Sequence, residues 1–290
     1  MKKLLKSIYQ VFPFKQQIFT AIRSVVNLPE SIFRHLYFNG VFRVKAGDRA
    51  FFRIHHFGQV IENELFWKGL YGGWEKKSME IWVQLCRNSK TIFDIGANTG
   101  IYSLAAKAVH PLATVYAFEP VHRVYERLVA NMKLNNYDVH CIEKAASDYD
   151  GKAMIYDSHE EHILSVTVNK NISGTAHELN EEIDTVQLKT FIDQHHIESI
   201  DLMKIDVETH EPEVLKGMGR FLATFKPVIL IEILTQEIAD TLNQQLSGLG
   251  YLYYYIDDEN ASTEKVDLIT KRKSLNYLLC TQKEAAILSL

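Results

Sequence analysis

The stretch TIFDIGANTGIYS, residues 91–103, decides how the rest of the chain is read. A mostly apolar run reaches an acid, Asp94, then passes Gly96 and Gly100 into residues of helical spacing. A glycine turn between a buried strand and a helix lets backbone approach a ligand closely. Two ligand classes use that device, and spacing separates them. A dinucleotide fingerprint needs the frame G-x-G-x-x-G/A. Counted from Gly96 the frame reads G-A-N-T-G-I, so Asn98 and Ile101 stand where it needs Gly and then Gly or Ala. No G-x-x-x-x-G-K-[ST] occurs anywhere, which removes a P-loop reading.

Outward from the turn, β-rich runs at 91–96, 113–118, 139–144, 200–207, 227–234, 251–257 and 275–281 alternate with helical runs at 100–109, 121–134, 188–196, 211–224 and 236–248. This order predicts an α/β, doubly wound, mostly parallel, seven-stranded Rossmann-like sheet. The last two strands, joined by the polar stretch 258–274, form an antiparallel pair at its end. An extra turn and extended segment follow Ser147. Residues 1–80 are expected to form a basic helical and aromatic cap, and 81–290 the main domain. Ligands on such sheets bind beyond the carboxyl ends of the strands, where strand order reverses. The segments Asp94–Gly100 and Asp206–Glu208, with Glu119 and Asp148, all fall at such ends.

With the pyrophosphate frame broken, the turn suits a nucleoside carrying a compact amino-acid tail. Gly96 admits backbone beside the ligand, Asn98 and the amides opening the helix can bind a carboxylate, and Asp94 can face an ammonium. S-adenosylmethionine has these features. Glu119, about twenty residues past the turn, can accept both ribose hydroxyls. Ser147 and Asp148 then meet the adenine amino group, and Ala97, Gly100, Pro120 and Asp206 complete the candidate cofactor residues.

At these positions the chain resembles a known family. FDIGANTGIYS, AFEPVHRVYERLVANMKLNN, KAASDYDGKA, IDTVQLKTFI, IDLMKIDVETHEPEVLKGM and KPVILIEIL are similar to the successive signatures of FkbM-type S-adenosylmethionine-dependent methyltransferases, over roughly residues 60 to 235. The resemblance implies a methyltransferase sheet and methyl transfer to oxygen, commonly a hydroxyl of a sugar or secondary metabolite. Thr209 and His210 depart from it, since the family usually has Gly and Ala after KIDVE.

Methyl transfer to an alcohol needs in-line positioning and a base for the hydroxyl proton. Strand alternation in LMKIDVETHE puts Lys204, Asp206 and Glu208 on one face. Asp206 is the first candidate for base or acceptor clamp, Glu208 the second, and His210 draws interest from its neighbours. An ion pair of Lys204 with an acid, joined by Glu232, explains the same charges. Oxygen ligands and one imidazole at Asp206, Glu208 and His210 suit magnesium or manganese, though spacing does not establish a metal. His159 to His162, in HEEH, are spaced i, i+3 and read as a polar loop; His195 and His196 read as a helix cap. Trp67, Tyr71 and Trp74 can stack on a sugar or roof the cofactor, although packing within the cap is the commoner role of such aromatics.

Composition sets outer limits. The 290 residues, 47% hydrophobic and 23% charged, allow one large α/β domain with an appendage. Cys86, Cys141 and Cys280 are odd in number and form no CxxC, which argues for a reducing compartment and against a zinc site. No apolar run reaches the ~20 residues of a spanning helix. Gln10, Lys15, Gln16 and Gln17 interrupt the apolar start, so a retained, cytoplasmic segment is expected. Residues 1–53 carry ten Lys and Arg against Glu30 and Asp48, formally +8, which leaves −12 for the rest of a chain of net −4. Such a front suits anionic lipid at the inner face of the membrane, or the polyphosphate of a lipid-linked acceptor; a solvated cap suits it equally. The leading expectation is therefore an O-methyltransferase acting on a small-molecule, glycan or glycolipid acceptor. No nucleic-acid partner is expected, and oligomeric state is not legible. A nicotinamide oxidoreductase and a non-catalytic module of the same fold stand as the alternatives.

Overall fold

The computed structural model describes residues 14–73, 75–158, 166–167 and 178–290, and between 156 and 180 only the backbone of the strands. Two helices, α1 (Lys15–Val25) and α2 (Glu30–Phe33), lead into an antiparallel hairpin of β1 (Gly40–Lys45) and β2 (Phe51–His56). Alternation makes this hairpin: Phe42, Val44, Phe52 and Ile54 are buried, while Arg43, Lys45 and Arg53 face out. It adds a β element to the helical cap expected from the sequence. Helices α3 (Val60–Lys68) and α4 (Lys76–Cys86) follow. Helix α4 spans position 80, the expected end of the cap. Its buried Ile81, Trp82 and Leu85 join Phe42 and Ile54 of the hairpin and Leu104 and Leu128 of the main domain in one apolar cluster.

The main domain continues with β3 (Thr91–Ile95), α5 (Ile101–Val109), β4 (Thr114–Phe118), α6 (His122–Asn135) and β5 (Val139–Ile142). Strands β6 (Ala145–Ser147), β7 (Gly151–Ser158), β8 (Val166–Thr167) and β9 (Glu178–Gln187) then form a separate sheet in the order β6-β9-β7-β8. Next come α7 (Leu188–Gln194), β10 (Leu202–Ile205), α8 (Glu211–Met218), α9 (Arg220–Phe225), β11 (Val228–Glu232), α10 (Gln236–Leu246), β12 (Leu252–Asp257), β13 (Ser262–Val266), β14 (Asn276–Cys280) and α11 (Gln282–Leu288). The central sheet has the order β13-β12-β14-β11-β10-β3-β4-β5. Strands β11, β10, β3, β4 and β5 are parallel, and β14, β12 and β13 are added antiparallel.

The sheet thus has eight strands rather than the seven expected. The eighth, β13, lies in the stretch read as a connector. Its sequence STEKV has no buried face because it pairs only at the sheet edge, where backbone bonding suffices. The helical run 211–224 is two helices, broken at Gly219, whose φ is 53°. Parallel central strands are covered on both faces, and β3 and β10 are buried from Ile92 to Ile95 and from Leu202 to Ile205. The chain leaves β3 toward β4 and β5 on one side and returns to β10 on the other. Strand order therefore reverses between β3 and β10, where a crevice opens.

Candidate functional site

The glycine turn is fastened at this reversal point. The amides of Gly96 and Ala97 both donate to the Phe118 carbonyl, at 3.0 and 2.8 Å, tying the end of β3 to the end of β4. Gly96 has φ 81°, and a Cβ there would stand 1.8 Å from the Asp206 carbonyl oxygen. Only glycine allows that approach. Beyond the turn lies a cavity of about 510 Å³. Its wall includes Gly96, Ala97, Asn98, Glu119 and Pro120 at the ends of β3 and β4, and Asp206, Glu208 and His210 after β10.

Glu119 is buried at that wall. Its Oε2 accepts from the Asn98 amide and its Oε1 from the Val121 amide, each at 3.0 Å. Burial pushes its pKa up to about 7, against the pull of those two donors. Each oxygen keeps a further lone pair for a hydroxyl.

Three expected contacts go elsewhere. Asp94 does not line the cavity: its Oδ2 accepts from the Ser103 amide at 3.0 Å and hydroxyl at 2.6 Å, holding the first turn of α5. Burial raises it to about 6. Ser147 Oγ lies 3.0 Å from His210 Nε2, and Asp148 pairs with Lys216 at 2.7 Å. Neither lines the cavity, because β6 leaves the central sheet and α8 closes over it; a Cβ on Gly217 would stand 2.0 Å from the Ser147 carbonyl. Lys144, Ala145 and Ala146 supply that part of the wall. Gly100 also lies off the cavity, opening α5 with φ 90°.

After β10 the alternation expected for Lys204, Asp206 and Glu208 holds only as far as Asp206. Glu208 and Thr209 adopt left-handed φ values of 53° and 83°, and Glu208 reaches the cavity from that turn. Glu211, not singled out from the sequence, braces it: its Oε1 accepts from the Val207 and Thr209 amides at 3.3 Å. His210 stands just before α8, its Nδ1 3.5 Å from Glu213, and burial lowers its pKa.

The strongest electrostatic feature is Lys204. Its side chain is 1% exposed, and its Nζ lies 3.2 Å from Oδ2 of Asp206, which is 31% exposed. Burial alone would lower the lysine, but Asp206, Glu75 and Glu232 together hold it above its ordinary range. Glu75, just before α4, was missed in the sequence. It lines the cavity, accepts from the Tyr102 hydroxyl at 3.1 Å and from Asn276 Nδ2 at 2.8 Å, and is raised by burial. Glu232, expected only as a member of the Lys204 ion pair, also lines the cavity.

Among the described residues no group of three or more His, Cys, Asp or Glu is placed to hold a metal ion, so the magnesium expectation finds no donor set. Trp67 packs on Phe19, Phe33 and Phe66 at centroid distances of 5.6, 6.2 and 5.2 Å, and the Tyr71 hydroxyl donates to the Ala46 carbonyl. These two build the cap rather than the cavity. Trp74 and the HEEH segment lie outside the described residues. His195 does follow the end of α7 as its cap. Among the described residues no helix is long and apolar enough to cross a membrane.

Residues 94–253 match the methyltransferase FkbM domain. The chain is 32% identical over 157 residues to the 31-O-demethyl-FK506 methyltransferase FkbM of Streptomyces tacrolimicus, covering 46% of this chain and 60% of that protein. It is 28% identical over 154 residues to methyltransferase sdnD of Sordaria araneosa, covering 44% and 60%. The matched part thus spans about 60% of the length of these curated relatives. Among solved structures, methyltransferase FkbM from Methylobacillus flagellatus KT superimposes with a TM-score of 0.44 at 16% identity, over 66% of this chain and 44% of that one.

Proposed function

The chain belongs to the FkbM methyltransferase family, and on that premise we propose that it is an S-adenosylmethionine-dependent O-methyltransferase acting on a hydroxyl of a sugar, glycan or glycolipid precursor. The observation that carries this reading is the meeting of the glycine turn, Glu119 and Asp206 at one cavity. The residues fit the cofactor: the Gly96 cradle admits a ligand against backbone, Glu119 has acceptor capacity for a ribose, and Phe118, Ala145, Ala146 and Ile155 offer apolar surface for a base. When bound, S-adenosylmethionine supplies a methyl already activated on a sulfonium. The chain's own task is then to position the acceptor and take its proton. Asp206 is assigned that role, steadied by Lys204, with Glu208 and His210 beside it.

In the same reading the segment 1–53 rests on anionic surfaces at the inner face of the membrane. Phe14, Ile18, Val25, Val26 and Ile32 are exposed there, in the segment that carries the +8 charge.

Glu119→Ala is expected to weaken S-adenosylhomocysteine binding by about 1.5–3 kcal/mol, the range for a hydrogen bond to a charged group. Calorimetry on the variant, with circular dichroism to show that it is folded, checks this. An unchanged dissociation constant would remove Glu119 from the cofactor site.

A further inference from the structure

The chamber around Asp206 holds more carboxyl groups than positive partners. Glu75, Asp206 and Glu232 all line the cavity, and Lys204 is the ammonium buried against them. Lys204 stands on Asp206 at 3.2 Å. Glu75 finds its partners in the Tyr102 hydroxyl and the Asn276 amide. Among the described residues the Glu232 side chain makes neither a hydrogen bond nor an ion pair within 4 Å. Its register partner Asn276 is 2% exposed and keeps a buried Oδ1 with no donor. A carboxyl group that faces the cavity with no hydrogen-bond partner has its capacity open to a ligand bearing hydroxyls.

Register supplies the geometry. Ile205 pairs with Ile231, so Asp206 and Glu232 follow side by side at the carboxyl ends of neighbouring parallel strands. Strands lie about 4.8 Å apart. Hydrogen bonds of about 2.7 Å from two such groups can converge on oxygens carried by adjacent carbons.

We propose, resting on the methyltransferase reading, that Asp206 and Glu232 together grip two neighbouring hydroxyls of one uncharged acceptor, Asp206 taking the hydroxyl that is methylated and Glu232 the one beside it. The acceptor oxygen bonds the methyl as the methyl–sulfur bond breaks, its electron pair staying on sulfur, and the hydroxyl proton ends on Asp206. Glu232 exchanges no proton in this step. It serves as a donor, because burial and then the charge of Asp206 favour its protonated form; Glu75 and Glu208 act in the same direction and Lys204 against it. Lys204 is committed to Asp206 at 3.2 Å, so its ammonium is not available to a phosphate or carboxylate group in the chamber. The chamber is therefore expected to discriminate against a phosphorylated acceptor.

The test uses the full chain saturated with S-adenosylhomocysteine, whose binding is first measured by calorimetry. Saturation-transfer NMR then compares methyl α-mannopyranoside, which carries neighbouring hydroxyls, with mannose 6-phosphate and mannosamine. The neutral glycoside is expected to bind at least about tenfold better than the phosphate; Glu232→Ala should cost it about tenfold, the worth of one hydrogen bond, and Glu232→Gln should keep it, since an amide also donates. No binding of the glycoside, equal binding of the phosphate, tighter binding of the amine, or an indifferent, folded Glu232→Ala protein overturns the proposal. Failure to bind S-adenosylhomocysteine at all would instead overturn the methyltransferase reading beneath it.

Discussion

Asp206→Asn is expected to lower methyl transfer by about 10²–10⁴-fold, the usual worth of a positioned acid or base, while S-adenosylhomocysteine binds as tightly as before. The two halves of this result have separate causes. Asp206 lies past the end of β10 at the cavity wall, whereas the proposed cofactor contacts come from the turn after β3 and from Glu119. An asparagine side chain fills the same space and can still meet Lys204 through its oxygen, but it cannot take a proton. If Asp206 serves only as a lysine partner, the variant instead melts lower and turns over normally per folded molecule. Melting and turnover are therefore to be measured on one preparation. Near-normal turnover by a stable variant would shift the role to Glu208 and His210.

Lys204→Met should lower stability by about 3–5 kcal/mol at neutral pH, the usual result of removing one partner from a buried charge pair. Methionine fills similar volume but leaves Glu75, Asp206 and Glu232 facing one cavity with no ammonium among them. The loss should depend on pH in a definite sense. Glu75 and Glu232 already have folded-state pKa values raised above their ordinary ones, mainly by burial. Groups raised in this way contribute stability when protonated and lose it as pH rises through the folded value. Without the lysine they rise further, so the deficit of Lys204→Met grows with pH and shrinks in mild acid. Urea unfolding at pH 6 and at about pH 10, where Glu232 titrates, reads this directly. A deficit that is flat with pH, or below about 1 kcal/mol, would contradict the charge account.

The sequence was most informative where buried backbone forces its composition. Parallel strands covered on both faces must be nearly continuous apolar runs, so β3, β4, β10 and β11 were visible, and the turn showed itself because no other residue tolerates the approach of Gly96 to Asp206. Where pairing does not require apolar side chains the reading failed, as with β13 at the sheet edge. The hairpin β1–β2 had the right alternation in Phe42, Val44, Phe52 and Ile54, but the basic residues between them directed attention to charge.

Within the site, an acid at a strand end proved ambiguous. Glu119 faces the cavity and Asp94 does not, because Ser103, nine positions later on α5, takes the carboxylate. A serine in the first helical turn after an acidic strand end was the available signal. Glu75 could not be found by listing strand ends, since it arrives from the cap just before α4 and meets β14 only in three dimensions. Glu232 was visible, but only its environment separates it from a lysine partner.

The central claim is that this cavity holds an adenosyl amino acid and not a dinucleotide. Calorimetric titration of the full chain with S-adenosylhomocysteine and, separately, with NAD tests it most directly. Saturable binding of S-adenosylhomocysteine, with no heat of binding for NAD, is the expected result. Binding of NAD without S-adenosylhomocysteine, or of neither by folded protein, would contradict it.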